Sequence, residues 1–419
     1  MRSSNTRAEG AMQKNVNRIK FREKESFMKI AIIGFGTVGK GTYETAKTAG
    51  GIEVVKVLAR HEIEGYEHLN DIITSEIADI TNNDEIELVV ESIGGVHPAR
   101  EYVLECLKAG KHVVTPNKNL ISACYTELME TARENGVEIR FTPTAGGGIP
   151  WLFNLQRTKR CDEINEIRGI INGTCNFILD SMCDKGSDFE EVLVLAQALG
   201  YAEADPSSDI EGTDTLRKTV ISATLAFDTV ISENEVPCYG IDTIQAKDIK
   251  YLKDMGRVPR LMMNACAEGD KLCVYVEPVA FAETAMEASV KFNYNLITLH
   301  ARDIGTQSFF GQGAGMMPTG QSVLQDVIDI RDNVRLTPAS GDGLSKRKLK
   351  VDNESAVHRY YLRCDEMSEE LDNITEKRQR NANTYYCITK PVAVTKMHEI
   401  AHKAKAEGHE MFIAALAEE

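Results

Sequence analysis

The stretch that decides the fold is AIIGFGTVGKG, residues Ala31 to Gly41, in which an apolar run meets three glycines, Gly34, Gly36 and Gly39. MKIAIIG reads as a β-strand, and TVGKGTYETAKTAG after it reads as a helix. Glycines at such a turn leave bare backbone amides at the helix N-terminus, where a pyrophosphate can bind. A GxGxxG pattern alone is weak evidence, but a second strand, IEVVKVLAR, follows at the expected distance, so the stretch predicts dinucleotide binding.

The segments that follow alternate short β-branched runs with helix-compatible ones. IELVVESIG indicates another strand, and AREYVLECLKAGKHVVT indicates a helix that leads into a strand. Strands that are apolar on both faces, in β-α-β order, are typical of a parallel sheet with helices on each side. We therefore predict an α/β chain that starts with a Rossmann-type parallel sheet.

Composition narrows the class of protein. At 419 residues the chain should divide into two or three domains, and its net charge of −15 disfavours nucleic-acid or anionic-membrane binding through a positive field. Ten cysteines without a CxxC or Cys/His cluster predict reduced thiols, no structural zinc and a cytoplasmic location. No stretch approaches the roughly 20 apolar residues of a membrane span.

The first 27 residues are polar and lack apolar periodicity, which predicts a disordered leader. Glu23 and Glu25 argue against a transit peptide, since such peptides are poor in acids. The alternative is that translation naturally begins at Met28.

The end of the second strand bears on the choice of dinucleotide. An NAD site usually places Asp or Glu there to hold the ribose 2′-hydroxyl, whereas this strand ends in Ala59, Arg60 and His61. An arginine can pair with a 2′-phosphate, which predicts NADP as the preferred cofactor over NAD. The alternative is an exposed arginine with no ligand.

Two segments carry candidate catalytic groups. In GKHVVTPNKNLIS, a strand that ends at Thr115 delivers Lys118 to the carboxyl edge of the sheet, although a solvated loop lysine is equally compatible. The Gly-rich FTPTAGGGIPWL then reads as a hinge out of the nucleotide domain. Further on, Asp214 and Lys218 lie four apart on a predicted helix and share a face.

The segment AQALGYAEADPSSDIEGTDTLRKTVISA is unusually dense in charge for a stretch next to apolar runs. A surface ion pair is the simple interpretation of Asp214 and Lys218. Because the helix that follows looks buried, we favour a lysine that gives a proton to an alkoxide, with carboxylates that hold an ammonium group. The charged residues concerned are Glu203, Asp205, Asp209, Asp214 and Lys218.

Six motifs together carry a resemblance to the homoserine dehydrogenases: IIGFGTVGKG, VVTPNK, GGGIP, GIINGTCNFIL, GYAEADPSSDIEGTDTLRK and FFGQGAGMMPTGQSV. They occur in the family's order and approximate spacing, roughly from Met28 to Arg331. The resemblance implies reversible reduction of L-aspartate 4-semialdehyde to L-homoserine with a nicotinamide cofactor, in the biosynthesis of threonine, methionine and isoleucine.

The resemblance also implies roles for individual residues. Lys218 would be the principal proton donor, and Lys118 would contact both cofactor and substrate. The substrate would be bound by Glu203, Asp209, Asp214, Gly173 and Thr174. The cofactor would be bound by Gly34, Gly36, Thr37, Val38, Gly39, Arg60, Ser92, Ile93, Lys118, Gly313 and Gly315.

A monovalent cation such as sodium is a further implied cofactor. The family holds it near the Gly-rich hinge, and the carbonyls of Ala145, Gly147 and Ile149 are the candidates here. Thr142 stands where the family has a glutamate, which should weaken the binding of a hard cation.

The resemblance implies a homodimer or homotetramer that pairs through a sheet in the substrate domain, where DKLCVYVEPVAF and ASVKFNYNLITLHA predict strands. The alternatives in function are a semialdehyde dehydrogenase that uses Cys175 as a nucleophile with a histidine base, and a non-catalytic dinucleotide sensor. The sensor would have no use for two lysines at the cleft.

The last ninety residues depart from the catalytic motifs. SAVHRYYLRCD, TYYCITKPVA and TKMHEIAHKAKAEGHEMFIAALAEE predict strand, strand and helix, in the place of an ACT-type regulatory module whose glycine loop is replaced by EMSEELDN. The predicted organisation has an α+β substrate domain and a small α+β C-terminal module. Its divisions are a leader 1–27, a nucleotide domain 28–141 completed by 311–332, a substrate and dimerisation domain 142–310, a flexible linker 333–355 and a degenerate ACT-like module 356–419.

Overall fold

The computed structural model describes residues 27–334 and 347–418. The predicted leader therefore lies outside the described residues except for Phe27. The first domain is built on a parallel sheet of six strands in the order β3-β2-β1-β4-β5-β6. Its strands are β1 Met28–Ile33, β2 Ile52–Leu58, β3 Ile73–Thr74, β4 Leu88–Glu91, β5 His112–Val114 and β6 Ile139–Arg140.

This strand order is that of a doubly wound dinucleotide-binding sheet, and it confirms the predicted Rossmann-type domain. Strand β1 lies at the centre because its isoleucines, Ile30, Ile32 and Ile33, are fully buried from both faces. The helices of this domain are α1 Thr37–Ala46, α2 Ala78–Thr81, α3 Ala99–Lys108 and α4 Lys118–Glu134.

The second domain packs helices on one face of an antiparallel sheet. Its strands, in the order β11-β10-β7-β8-β9, are β7 Ile164–Ile170, β8 Arg257–Glu268, β9 Lys271–Ala282, β10 Tyr294–Ala301 and β11 Gly305–Gln312. The helices are α5 Trp151–Thr158, α6 Gly173–Lys185, α7 Phe189–Ala198, α8 Ser207–Ile210, α9 Thr213–Phe227 and α10 Ala246–Asp254. Helix α9 is buried over most of its length, as the apolar run after Lys218 predicts.

Helix α11, Met316–Arg331, returns from the second domain to the first and packs on α1. The two helices meet at glycines: a Cβ on Gly320 would lie 2.4 Å from the carbonyl carbon of Gly41. Any side chain at Gly320 would therefore separate the helices. This contact holds α11 against the domain that carries the predicted dinucleotide site.

The C-terminal region has strand-helix-strand-strand-helix-strand order, as in ferredoxin-like units. Its main sheet runs β18-β14-β16-β15. The elements are β12 Lys350–Val351, β13 Val357–His358, β14 Tyr360–Cys364, α12 Glu369–Ile374, β15 Thr375–Asn381, β16 Thr384–Thr389, β17 Val392–Ala393, α13 Val394–Ala406 and β18 Met411–Leu416. Short 3₁₀ turns lie at Glu67–Ile72, Thr142–Thr144, Glu233–Glu235, Glu287–Ser289 and Asn353–Ser355.

Two predictions for this region are wrong. The final segment was expected to be helical throughout, but the helix ends at Ala406 and Met411–Leu416 forms a strand. The residues 347–355 of the predicted linker are not a free tether, since β12 pairs with β9 and Asn353 accepts a hydrogen bond from the Val274 amide at 2.6 Å. Residues 335–346 of that linker lie outside the described part of the chain.

The module and the substrate domain share one sheet, because β18 pairs in parallel with β9. Buried polar contacts reinforce this junction. Glu277 of β9 accepts hydrogen bonds from Tyr360 Oη and His398 Nε2, both at 2.9 Å. Arg363 donates through Nε to Asp248 of α10 at 2.8 Å. The module is thus an extension of the catalytic sheet rather than a separate body.

Among the described residues, no helix has the length and apolar character required to cross a bilayer.

Candidate active site

The Gly-rich turn between β1 and α1 has the geometry of a pyrophosphate cradle. Gly34 has φ +87°, and a Cβ there would lie 3.0 Å from the backbone of Ser92 and Ile93. A Cβ on Gly39 would lie 2.3 Å from the Gly34 carbonyl oxygen, so this glycine permits α1 to approach β1. Gly36 faces open space at the start of α1, where a phosphate can reach the helix N-terminus.

Further cofactor candidates surround this turn. Thr37 and Val38 form the first turn of α1, and the Ser92 hydroxyl donates to the Gly34 carbonyl at 2.8 Å. Arg60 lies just beyond β2 and is exposed, in reach of solvent or a ligand. The residues present therefore fit a dinucleotide whose pyrophosphate lies on α1.

A cleft of about 270 Å³ joins this turn to the two candidate lysines. Its walls come from both domains, so it lies where the sheet's carboxyl edge faces α9. The lining includes Val38, Ser92, Ile93, Lys118, Lys218 and Gly313. The structure thus brings Lys118 and Lys218, one hundred positions apart in sequence, into one cleft that adjoins the predicted dinucleotide site.

Asp214 joins the two lysines. Lys118 Nζ lies 2.9 Å from Asp214 Oδ1, and Lys218 Nζ lies 2.8 Å from Oδ2. Lys218 also donates to the carbonyl oxygen of Ile171 at 2.9 Å. The i,i+4 spacing in α9 therefore joins Lys218 to Asp214 in a largely buried ion pair rather than a surface one.

The electrostatics of the bridge keep it charged. Burial raises the pKa of Asp214, but the ammonium groups of Lys218 and Lys118 outweigh burial and hold that pKa well below its usual range. The charge of Asp214 in turn raises the pKa of Lys118. Burial, then the neighbouring charge of Asp214, raises the pKa of Asp209. An oxygen that gains negative charge in this cleft would face two cations.

Asn172 is a site residue that the sequence reasoning missed. It caps α6, and its Nδ2 donates to Asp209 Oδ1 at 2.7 Å and to Asp214 Oδ2 at 2.8 Å. One amide therefore fixes two of the predicted substrate carboxylates. The signal was available, since an asparagine before a helix in NGTCN is a typical N-cap.

The remaining substrate candidates divide into two groups. Gly173 and Thr174 begin α6 beside this network, and the Thr174 hydroxyl donates to the Tyr201 carbonyl at 2.6 Å. Glu203 instead lies in the exposed loop after α7. Its backbone carbonyl accepts a hydrogen bond from Gln197 Nε2 at 3.1 Å. Among the described residues its carboxylate forms no ion pair with either lysine.

Glu91, at the end of β4, is a second residue that sequence reasoning missed. It is fully buried and accepts hydrogen bonds from Thr115 Oγ1 at 2.6 Å and from the Ile93 amide at 2.7 Å. Asn117, the N-cap of α4, donates to the Gly95 carbonyl at 2.7 Å. These contacts connect the loop after β4 to the start of α4 and so hold the backbone at Lys118.

Cys175 does not have the surroundings of a nucleophile. It is fully buried, its thiol donates to the Asp209 carbonyl at 3.1 Å, and burial raises its pKa well above the ordinary value. Within the described residues no histidine contacts it. A reactive cysteine needs a lowered pKa and access to substrate.

The hinge and the returning crossing meet at glycines. Gly147 has φ +56°, and a Cβ there would lie 2.4 Å from the carbonyl carbon of Gly313, while Gly315 precedes α11 with φ +128°. The Ile149 carbonyl already accepts the Trp151 amide at 2.7 Å. Thr142 binds Asp326 through its amide and hydroxyl, at 3.0 and 2.7 Å. The candidate cation ligands are therefore neutral backbone carbonyls. The carboxylate of Asp326 already accepts two hydrogen bonds from Thr142.

Comparisons with known proteins show the family that this chain resembles. Residues 150–328 match the model of the homoserine dehydrogenase family, and residues 34–142 match that of the homoserine dehydrogenase NAD-binding domain. The homoserine dehydrogenase of Pseudomonas aeruginosa is 39% identical over 80% of this chain and 81% of its own length. That of Bacillus subtilis is 35% identical over 74% of each.

Solved structures give the same result. A homoserine dehydrogenase from Thiobacillus denitrificans superposes with a TM-score of 0.81 at 29% identity, over 93% of this chain and 98% of that one. The Staphylococcus aureus homoserine dehydrogenase superposes with a TM-score of 0.73 at 27% identity, again over 93% and 98%. The similarity therefore includes most of the C-terminal region.

Proposed function

The chain belongs to the homoserine dehydrogenase family, an oxidoreductase of amino-acid biosynthesis with a nicotinamide-dinucleotide domain, and from this premise we propose how its residues carry out the reaction. The single observation that carries the proposal is the Lys118–Asp214–Lys218 bridge at the cofactor cleft. The bound nicotinamide supplies or accepts the hydride. The residues described here bind, orient and protonate.

Lys218 is the proton donor in this proposal. When L-aspartate 4-semialdehyde is reduced, negative charge develops on the aldehyde oxygen, and an ammonium group in reach can neutralise it by proton transfer. The Ile171 carbonyl and Asp214 orient the Lys218 side chain. Lys118 stays protonated beside Asp214 and stabilises the same oxygen electrostatically.

The carboxylates give the site its preference for an amino-acid substrate. Asp209 and Asp214, fixed by Asn172, and the N-terminus of α6 at Gly173 and Thr174 supply acceptors for the substrate ammonium and donors for its carboxylate. Glu203 joins them only if its exposed loop moves towards the cleft on binding.

NADP is the cofactor that we propose this chain prefers. The support is the chemistry at the end of β2, where exposed Arg60 replaces the acid of an NAD site. NAD remains the alternative. We also propose a monovalent cation held by the backbone carbonyls of Ala145, Gly147 and Ile149, and we assign no catalytic step to it.

We also propose that two copies associate through the second domain, with a homotetramer as the alternative assembly. Strand β11 is an edge strand of eight residues whose Phe310 is 61% exposed, and such an edge can pair with a partner chain.

The domain limits that we propose are those predicted from the sequence, except for the linker and the C-terminal module. These two limits change because the module shares a sheet with the substrate domain.

The direct test is an assay of the purified chain with L-homoserine and each of NADP⁺ and NAD⁺, followed by appearance of the reduced cofactor. We expect turnover that depends on both substrates. Asp-semialdehyde oxidation that requires phosphate and is lost on thiol alkylation would instead support the Cys175 alternative. Cofactor binding without any turnover would support the sensor.

A further inference from the structure

The helices that carry the two lysines belong to different domains, and a group of side chains outside the catalytic bridge connects them. Lys118 begins α4 of the nucleotide domain, and Lys218 lies on α9 of the substrate domain. Each lysine has a polar neighbour in sequence, Asn119 and Arg217, and Arg217 Nη1 donates to Asn119 Oδ1 at 3.2 Å. This hydrogen bond joins the two helices one residue from each lysine.

A third element completes the connection. Glu233, in the 3₁₀ turn Glu233–Glu235, accepts from Ser122 of α4 at 2.6 Å and from Arg217 Nε of α9 at 3.3 Å. The turn is fixed from its other side, since Asn353 donates to the Glu235 carbonyl at 2.7 Å. One carboxylate oxygen therefore binds both helices from a turn that is itself held in place.

The strength of the catalytic bridge depends on the charge of both lysines. Asp214 holds both ammonium groups, but a lysine that has given its proton to substrate loses its ionic attraction to Asp214. At that moment α4 and α9 need a connection that does not depend on the charge of either lysine. The contacts among Asn119, Ser122, Arg217 and Glu233 have that property.

We infer that Arg217 is a positioning residue, which with Asn119, Ser122 and Glu233 sets the distance between Lys118 and Lys218 for hydride and proton transfer. The inference rests on the proposed roles of the two lysines. Misplacement of reacting groups by about 1 Å can cost about a hundredfold in rate. The four side chains form what we call the interhelix clasp.

The clasp is accessible to mutation without damage to the core. Arg217 and Glu233 are 27% and 29% exposed, and they line an open cavity of about 810 Å³. Water can therefore replace a truncated side chain there, so the buried apolar contacts of α9 are retained. A loss of activity would then report geometry rather than unfolding.

The test measures steady-state kinetics and thermal midpoints of Arg217→Gln, Arg217→Lys and Asn119→Ala in the full chain. For Arg217→Gln we expect kcat to fall by about ten- to a hundredfold, with KM for L-homoserine and NADP⁺ and the thermal midpoint little changed. Arg217→Lys keeps one donor and the charge and should recover part of kcat. Because Asn119 contributes to the clasp through its hydrogen bond with Arg217, adding Asn119→Ala to Arg217→Gln should cost little more.

The matched control is Arg100→Gln. Arg100, like Arg217, donates through Nε to a glutamate, in this case Glu127 of α4 at 2.8 Å. The side chain of Arg100 has an exposure similar to that of Arg217, but its ion pair does not reach α9. Its kcat should equal that of the unmodified chain.

Three results would overturn the inference. The first is a normal kcat for Arg217→Gln. The second is a change confined to a higher KM for homoserine, which would mean that Arg217 contacts the substrate directly. The third is a loss of kcat that is fully additive between Arg217→Gln and Asn119→Ala. If Arg217→Gln lowers the thermal midpoint, Asn119→Ala alone must still lower kcat. Inactivity of the unmodified chain would contradict the proposed function instead, and so the two failures are distinguishable.

Discussion

Asp214 shows how one buried carboxylate can organise a site. Its two oxygens hold two lysines from different domains, and their charges keep its pKa low despite complete burial. A depressed carboxylate pKa means that the bridge is intact above the ordinary aspartate range and is lost only as pH falls through the lowered value. The bridge is therefore fully formed at neutral pH.

Lys218→Ala tests the proton donor. We expect kcat for homoserine oxidation to fall by about a hundredfold or more, because general acid–base groups contribute about 10²–10⁴. Binding of NADPH, measured by fluorescence titration, should persist. Lys118→Ala, as the comparison, should weaken cofactor binding as well as rate. A near-normal kcat for Lys218→Ala would exclude it as the donor.

Arg60→Ala tests cofactor choice. If the guanidinium pairs with the 2′-phosphate, the variant should lose about tenfold or more in kcat/KM for NADP⁺ and little for NAD⁺, since a charged hydrogen bond is removed from one cofactor only. The measurement is parallel kinetics with both cofactors. Equal losses, or a preference of the unmodified chain for NAD⁺, would show that Arg60 does not select the cofactor.

At the residue scale the sequence predicted those side chains whose role follows from local spacing. The i,i+4 pair Asp214 and Lys218, and Lys118 after a strand end, needed only helix and sheet geometry. Glu91 and Asn172 were missed because each acts by holding other groups that are distant in sequence. The contact between Arg217 and Asn119 crosses a domain boundary, so neither neighbourhood indicates it.

At the element scale, α11 is held to the hinge by Asp326. Burial raises the pKa of Asp326 to about 7, although two hydrogen bonds from Thr142 oppose that rise. The folded protein therefore binds a proton more tightly than the unfolded chain, so this group lowers stability as pH rises from about 4 to 7. Deprotonation leaves a buried carboxylate against the hinge.

Asp326→Asn should remove that penalty. Asparagine can accept from the Thr142 amide and donate to its hydroxyl, which imitates the protonated acid. We expect the variant to gain on the order of 1–4 kcal/mol in unfolding free energy at pH 8 and less than half of that gain at pH 5. Urea unfolding at both pH values measures this. A gain that is the same at both values would mean that Asp326 does not titrate in this range.

Helix α12 occupies the place of the missing glycine loop. It begins at Ser368, which caps it, and it lines a cavity of about 610 Å³ rich in acids, among them Asp365, Glu366, Glu369 and Glu370. This helix after β14 is short and leads directly into β15. Negative charge at this position disfavours an amino acid's carboxylate.

Threonine should consequently have little effect on this enzyme. Activity measured across a titration to several millimolar threonine should stay flat, and calorimetry should detect no binding. Strong inhibition with a measurable heat would show that the module still binds the amino acid. The intact chain is required, because removal of the module would take away the partners of Asp248 and Glu277, which are Arg363, Tyr360 and His398, and would unpair β9 from β18.

The strand β18 illustrates what the sequence could not predict at this scale. MFIAALA is a short apolar run, and such runs fit a helix or a buried strand equally well. Gly408, with φ +83°, ends α13 before it, a C-terminal signal that was available. Strands β1, β2, β4 and β5 were predicted correctly because glycines and helices bound them on both sides.

At the scale of the whole molecule, the property to measure is the number of chains that associate. We expect light scattering at micromolar concentration to give at least twice the chain mass of 46.4 kDa. Phe310→Lys, which places a charge on the exposed face of β11, should shift the distribution towards the monomer. Val194→Lys, at an equally exposed apolar position on α7, is the control. A monomeric unmodified chain would refute the proposed association.

The sequence predicted only those parts of the architecture that depend on elements close together in the chain. The β-α-β pattern gave the Rossmann-type sheet, and the strand runs gave a second sheet. The pairing of β9 with β18 joins segments that are far apart in sequence, and no periodicity specifies such a partner. The prediction of a free linker failed at residues 347–355 for that reason. The polar composition around β12 gave no indication that this segment pairs with β9.

The late pairing of β9 also has a consequence for biosynthesis. During translation the β8–β9 hairpin emerges long before Met411–Leu416, so the end of β9 at Val279 and Ala280 has no partner on its outer side while the intervening chain is made. An unpaired apolar edge is where nascent chains aggregate or recruit chaperones. Ribosomes that stall before residue 411 should therefore release an insoluble product, even though every residue of the catalytic cleft has already been synthesised.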